Sequence, residues 1–131
     1  MRILVVDDDE SIRGLVRDVL EAEGYDVDVA ADGFAALRRL AACRPDAVVL
    51  DVMMPGMDGY AVLSQIRSSE VDPDLPVVML TAAADDSHAW QAWSGGVDYF
   101  LAKPFEPTEL LSFLDGLSVD ADSSVAGRAG G

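Results

Sequence analysis

The sequence predicts an α/β fold: a single doubly wound domain built on a parallel five-stranded sheet with the strand order 2-1-3-4-5. Short apolar segments alternate with longer segments whose apolar residues recur at helical spacing. The chain has 131 residues, half of them hydrophobic, which suits one domain with a substantial core. The second strand segment alternates polar and apolar residues, as half-exposed edge strands do, and this favours the stated order.

The first two β/α units are predicted as follows. Residues 3–6 form a fully apolar strand that is buried on both faces. The following helix has an apolar stripe and stops near Gly24. This stripe consists of Ile12, Leu15, Val16, Val19 and Leu20. Residues 25–29 form the edge strand, and a second helix extends from about residue 33 to residue 43, before Pro45 interrupts the pattern.

The other three units follow the same alternation. Their strands are predicted at residues 47–50, 77–80 and 98–102. Their helices are predicted from about residue 59, over residues 85–94, and from Pro107, which suits a first helical turn. The last helix has a buried stripe of Leu110, Phe113, Leu114 and Leu117.

We expect the folded domain to comprise residues 1–117. Residues 118–131 consist largely of Ser, Ala, Gly and Asp, which leave little apolar surface to bury. We therefore predict that residues 118–131 are a disordered tail or a linker.

Composition excludes several classes of function. A net charge of −15 would repel the phosphates of nucleic acid, so we expect no direct binding to it. No apolar run reaches the roughly 18 residues of a membrane span, and we expect no membrane contact. The single Cys43 agrees with a reducing compartment. The apolar segment at the N-terminus is too short for a signal peptide, and the residues that follow it are too acidic. We therefore expect a cytoplasmic location.

Acidic residues follow two strands that should be neighbours. Asp7, Asp8 and Asp9 come directly after the first strand, and Asp51 ends the third. Ionised aspartates at adjacent strand ends repel each other, and a bound cation would relieve this repulsion. An all-oxygen ligand set fits a hard metal, Mg²⁺ before Ca²⁺. Asp9 is expected to act only locally, as a helix cap.

The ends of the fourth and fifth strands carry complementary groups. Lys103 is the only lysine among nine basic residues, and it follows the fifth strand. Thr81 ends the fourth strand. Aspartate can accept a phosphoryl group as an acyl phosphate. Because phosphoryl transfer depends mainly on positioning and charge neutralisation, an ammonium and a hydroxyl at this edge would suit it.

In these residues the chain resembles the receiver domain of bacterial two-component response regulators, the CheY-like domains with a flavodoxin-like fold. The matching segments are residues 3–8, 50–59, 80–82 and 103–105, in the order and spacing of the family. The resemblance covers residues 2–117, and the segments are jointly specific.

The resemblance implies a phosphoacceptor and a metal site. Asp51 would accept the phosphoryl group and also bind Mg²⁺. Asp8 would bind Mg²⁺ directly, Asp7 mainly through water, and the backbone carbonyl of Met53 would complete the protein ligands.

The resemblance also implies a switch and its partners. Lys103 would bind the phosphoryl group, Thr81 would be the switch hydroxyl, and Phe100 would be the switch aromatic. A sensor histidine kinase or a phosphotransfer protein would donate the phosphoryl group. A downstream protein would read the face formed by the fourth helix, the fifth strand and the fifth helix. Such a domain is not an enzyme: it promotes only its own phosphorylation and dephosphorylation.

Three alternatives remain open at the level of sequence. A receiver-like interaction module need not be phosphorylated at all. An aspartyl-phosphate-type phosphohydrolase would want a second acid two residues after its nucleophile, where Met53 stands. A flavin-binding module of the same strand order would need a phosphate-binding loop after the first strand, where three aspartates stand instead.

Overall fold

A parallel sheet of five strands in the order 2-1-3-4-5 forms the centre of the computed structural model. The structure describes residues 1–68, 73–81, 96–102 and 105–125, with side chains as far as residue 117. The strands are β1 Arg2–Val6, β2 Asp26–Ala30, β3 Ala47–Asp51, β4 Val77–Thr81 and β5 Tyr99–Ala102. The predicted α/β fold class and strand order are therefore confirmed.

The described helices connect or follow these strands. They are α1 Glu10–Ala22, α2 Gly33–Ala42, α3 Gly59–Ser68 and α4 Pro107–Val125. The helix predicted at residues 85–94 lies outside the described residues. The helix α4 continues past Leu117, the last residue of its predicted stripe. The domain boundary at residue 117 stays a prediction. In the described part of the chain, no helix combines the length and hydropathy that crossing a bilayer requires.

The winding of the chain reverses at β1. This strand pairs in parallel with β2 on one side and with β3 on the other, so Val6 lies opposite both Ala30 and Leu50. The carboxyl ends of these strands consequently lie level at one edge of the sheet. In open α/β sheets, the reversal point at this edge is where ligands bind.

The core consists of two layers, one on each face of the sheet. Alternate residues of β1 enter different layers, because successive side chains of a strand point to opposite faces. Ile3 and Val5 pack with α1 and α4, whereas Leu4 and Val6 pack with α2 and α3. Every residue of β3 and β4 is buried, as the continuous apolar runs predict for central strands.

The strand β2 is the edge strand that its alternating pattern predicts. Asp26 is exposed, while Val27 and Val29 pack against the layer formed with α1 and α4. Asp28 lies 3.5 Å from Arg39 on α2, an exposed ion pair that contributes little to stability.

The last helix is attached to both halves of the chain. The hydroxyl of Tyr25, just before β2, donates a hydrogen bond to the carboxylate of Asp115 on α4. Burial and this carboxylate raise the pKa of the Tyr25 phenol above its usual range. On the same helix, the ring of Phe113 stacks on Tyr99 of β5 with the ring centroids 5.2 Å apart. The first contact joins α4 to the start of β2, and the second joins it to β5.

Arg67 in the last turn of α3 joins three elements. Its guanidinium donates to the backbone carbonyl of Leu75 at 2.7 Å and to that of Gly96 at 2.7 and 2.9 Å. It also bonds the carboxylate of Asp98 at 3.0 Å, and this carboxylate accepts the backbone N–H of Val77 at 2.8 Å. One side chain therefore ties α3 to the beginnings of β4 and β5.

We expect Arg67→Met to lower the free energy of unfolding by about 2–4 kcal/mol, because it leaves several carbonyl and carboxylate oxygens without their charged donor. Urea denaturation followed by circular dichroism measures this change. The matched control is Arg38→Met on the exposed face of α2, which removes the same charge. Equal effects of the two substitutions would contradict the structural role of Arg67.

Candidate functional site

Three carboxylates converge at the carboxyl edge of the sheet. Asp7 follows β1 directly and Asp51 is the last residue of β3. Because Val6 lies opposite Leu50 in the sheet, the two aspartates that follow this pair are neighbours. One carboxylate oxygen from each of Asp7, Asp8 and Asp51 lies within 4.8 Å of the other two. The structure thus brings together the acids that the sequence predicts to meet.

The burial of these carboxylates differs. Asp7 is 0% exposed and Asp51 is 3% exposed, whereas Asp8 lies in contact with solvent. Ionised carboxylates that are buried close together are unfavourable unless a cation or hydrogen-bond donors compensate them. The cluster offers oxygen donors alone, and such a set fits a hard divalent cation. The residues present therefore suit Mg²⁺, as predicted.

A network of short-range hydrogen bonds holds the turn that carries Asp7 and Asp8. The backbone N–H of Asp7 donates to the carbonyl of Ala30 at 3.2 Å, which extends the pairing with β2 by one residue. The backbone N–H of Asp9 donates to the Asp7 carboxylate at 2.9 Å. The Asp9 carboxylate accepts the N–H groups of Ser11 and Ile12, so Asp9 is the N-cap of α1 that the sequence predicts.

Arg13, on the first turn of α1, contacts the same turn from the other side. Its guanidinium donates to the backbone carbonyl of Asp7 at 2.8 Å. Arg13 is not among the residues that the sequence pattern predicts for this site. The available signal was its position: a cation stands four residues into a helix that begins beside three acids.

The loop that follows Asp51 folds back, so that its last part lies against the end of β3. The backbone N–H of Gly59, the first residue of α3, donates to the carbonyl of Val52 at 2.9 Å. A Cβ atom at Gly59 would lie 2.3 Å from the carbonyl oxygen of Asp51. Only glycine permits this approach, so the start of α3 fixes the backbone that carries the Asp51 carboxylate. Met53, within the loop, is 64% exposed.

The remaining predicted residues belong to β4, β5 and the segment after β5. Thr81 is the last residue of β4 and is 1% exposed. Asp51 pairs with Leu80, so Thr81 lies one step further along the same edge. Phe100 lies opposite Met79 in β5 and is half-buried against the layer of α2 and α3. Lys103 lies outside the described residues.

Comparison with protein families gives a clear match. The family model described as the response regulator receiver domain matches residues 3–115. The response regulators MprA of Mycobacterium avium and Mycobacterium ulcerans are 48% and 47% identical to this chain over 112 residues, which is 86% of this chain. Those residues make up 48% and 47% of the two proteins, so the chain spans about half the length of these curated relatives.

Solved structures agree with this match. The chemotaxis protein CheY4 of Vibrio cholerae superposes with a TM-score of 0.83 at 34% identity, covering 88% of this chain and 97% of that chain. The receiver domain of the Francisella response regulator 1452 gives a TM-score of 0.85 at 32% identity, covering 92% and 98%.

We expect Gly59→Ala to lower the free energy of unfolding by at least about 2 kcal/mol, because the new methyl group would overlap the backbone of Asp51. The matched control is Gly14→Ala within α1, where a Cβ would meet no atom within 4 Å. That change should instead stabilise the helix by about 0.5–1 kcal/mol. Both values can be measured by chemical denaturation, and a neutral Gly59→Ala would contradict the close approach.

Proposed function

The chain belongs to the family of response regulator receiver domains, the phospho-accepting modules of two-component signalling, and we propose that Asp51 is its phosphoacceptor. The observation that carries this proposal is the position of its carboxylate: at the end of a central strand, buried, and within 4.8 Å of oxygens of two further carboxylates. A nucleophile held on a strand is better oriented than one on a mobile side chain.

The other two acids are less suited to accept the group. The carboxylate of Asp7 accepts the backbone N–H of Asp9 within its own turn, and this bond suits a residue that orients the site. Asp8 is the exposed member of the cluster, whereas Asp51 is buried. We assign Asp8 and Asp51 as direct Mg²⁺ ligands, Asp7 as a ligand through water, and the Met53 carbonyl as the last protein ligand.

Phosphorylation is a displacement at phosphorus. A carboxylate oxygen of Asp51 attacks, the new phosphorus–oxygen bond forms as the phosphorus–nitrogen bond of a phosphohistidine donor breaks, and the departing imidazole takes a proton from solvent. When bound among the carboxylates, Mg²⁺ would neutralise charge on the phosphoryl oxygens. The carboxylates of Asp7, Asp8 and Asp51 would hold this ion next to the attacking oxygen.

The response to phosphorylation would involve the two neighbouring strands. Thr81 stands one step beyond the residue that pairs with Asp51, so its hydroxyl is suited to bond a phosphoryl oxygen. We assign Lys103 as the second phosphoryl-binding group. Phe100 on β5 would change its packing when Thr81 moves, and the face of the fourth predicted helix, β5 and the last helix would then favour a different partner.

The proposed donor is a cytoplasmic sensor histidine kinase or phosphotransfer protein. A donor must approach the carboxyl edge of the sheet, where Met53 and Phe34 are exposed large apolar residues. The ring of Phe34 lies beside Gly56 in the loop that follows Asp51. The output would pass to a downstream protein without direct nucleic-acid contact by this domain, and the domain would turn over no external substrate.

Treatment with a small acyl phosphate and Mg²⁺ should add the mass of one phosphoryl group to the native chain and none to Asp51→Asn. Intact mass spectrometry measures this difference. The matched control is Asp58→Asn, because Asp58 is exposed and caps α3 through the N–H of Ala61, a role that asparagine also fills. Equal labelling of all three proteins would overturn the assignment of Asp51, and multiple turnover of a phosphomonoester would favour a phosphohydrolase.

We expect saturating Mg²⁺ to raise the melting temperature of the native protein, because it binds the folded state and relieves carboxylate repulsion. At a hundred times the dissociation constant the gain is about 2.7 kcal/mol, or roughly 10 °C for a domain of this size. Asp8→Ala should lose most of this response in a thermal melt. Asp18→Ala, an exposed acid on α1, should keep it, and a full response in Asp8→Ala would contradict the proposed ligand.

A further inference from the structure

Arg13 occupies a position where a cation is not expected. It stands in the first turn of α1, next to the positive end of the helix dipole, which disfavours a second positive charge. Its guanidinium is half-buried and is committed to the backbone carbonyl of Asp7 at 2.8 Å. An arginine at this position needs favourable interactions that offset its repulsion by the helix dipole. The acidic turn that carries Asp7 and Asp8 supplies them.

We propose that Arg13 is a positioning residue for the divalent cation: it orients the peptide unit between Asp7 and Asp8 so that both carboxylates face the ion. This inference rests on the proposed metal site and adds a residue outside its ligands. The carbonyl that Arg13 bonds belongs to the rigid, planar peptide unit between Asp7 and Asp8. Fixing the direction of this carbonyl therefore fixes the direction in which the chain reaches the Cα atom of Asp8.

The residues on either side of this peptide unit are anchored as well. The N–H of Asp7 is bonded to Ala30 of β2 at 3.2 Å, and the Asp7 carboxylate is bonded to the N–H of Asp9 at 2.9 Å. Asp9 in turn caps α1, the helix that carries Arg13. The turn and the helix thus form a closed ring of hydrogen bonds. Opening the Arg13 bond removes a side-chain donor that joins α1 to the backbone of Asp7.

Arg17 provides the contrast. It lies four residues further along the same helix and is exposed, with its guanidinium 4.0 Å from Asp18 and 3.9 Å from Glu21. Replacing either arginine by glutamine changes the net charge by the same amount. Of the two arginines, Arg13 bonds the backbone of the acidic turn. Comparing the two substitutions therefore distinguishes the effect of losing this bond from the effect of losing a positive charge.

The test is a Mg²⁺ titration of the native protein, Arg13→Gln and Arg17→Gln by isothermal calorimetry in 0.5 M KCl. At this ionic strength the screening length is about 4 Å, so repulsion between an arginine and the cation is weakened. We expect Arg13→Gln to raise the dissociation constant for Mg²⁺ about three- to tenfold, somewhat less than the roughly 10- to 100-fold seen when direct partners of ligands are removed. Arg17→Gln should stay within about twofold of the native protein.

A second readout needs no metal. Hydrogen exchange at the Asp9 amide, which donates to the Asp7 carboxylate, should be faster in metal-free Arg13→Gln than in Arg17→Gln, because the turn has lost its anchor. Should Arg13→Gln not fold, Arg13→Lys against Arg17→Lys decides with the same measurements, because lysine keeps the charge but not the planar fork of donors.

The outcomes separate the two proposals. Unchanged or tighter Mg²⁺ binding in Arg13→Gln, with normal binding by the native protein, would overturn the positioning role alone. Native protein that binds no Mg²⁺ would overturn the metal site and this role with it. Weaker binding in Arg13→Gln with unchanged Arg17→Gln supports the role of Arg13.

Discussion

Carboxylates that are held together away from water repel one another, and the seam of this sheet holds two buried ones beside a third at the surface. Asp7 and Asp51 cannot separate, because each continues a strand whose register is fixed by neighbours on both sides. The sheet thus keeps like charges together at the point where its winding reverses. A divalent cation bound among these carboxylates, as we propose, would offset this repulsion.

Most of the fold could be predicted because buried positions are apolar and recur with the period of the strand or helix that carries them. The fully apolar runs gave β1, β3 and β4, and the alternation around Asp26 and Asp28 identified the edge strand. The ends of elements were less certain: β1 begins at Arg2 and β5 begins at Tyr99, each one residue from its predicted start. Terminal residues differ little in burial from the loops beside them, so the pattern fades there.

The convergence of the acids could also be predicted, because it follows from strand order alone. The bonds of Arg67 and Arg13 could not. Arg67 bonds the backbone carbonyl of Gly96, which is 29 residues away. Every residue has such a carbonyl, so the sequence does not indicate which one is bonded. The same holds for Gly59. Glycine is required at this position because the carbonyl of Asp51 lies too close for a side chain, and not because of the local turn. Such contacts depend on the path by which loops return to the sheet. The hydrophobic periodicity of the sequence does not predict this path.

The acidic edge strand has a consequence for the protein at high concentration. The outermost strand of a sheet is a template on which another chain can pair through its backbone, and this is a common start of aggregation. The strand β2 carries two aspartates, Asp26 and Asp28, so two copies that met edge to edge would bring these acidic residues together. Self-association by this route is therefore disfavoured, and concentrated salt would weaken the protection by screening the charges.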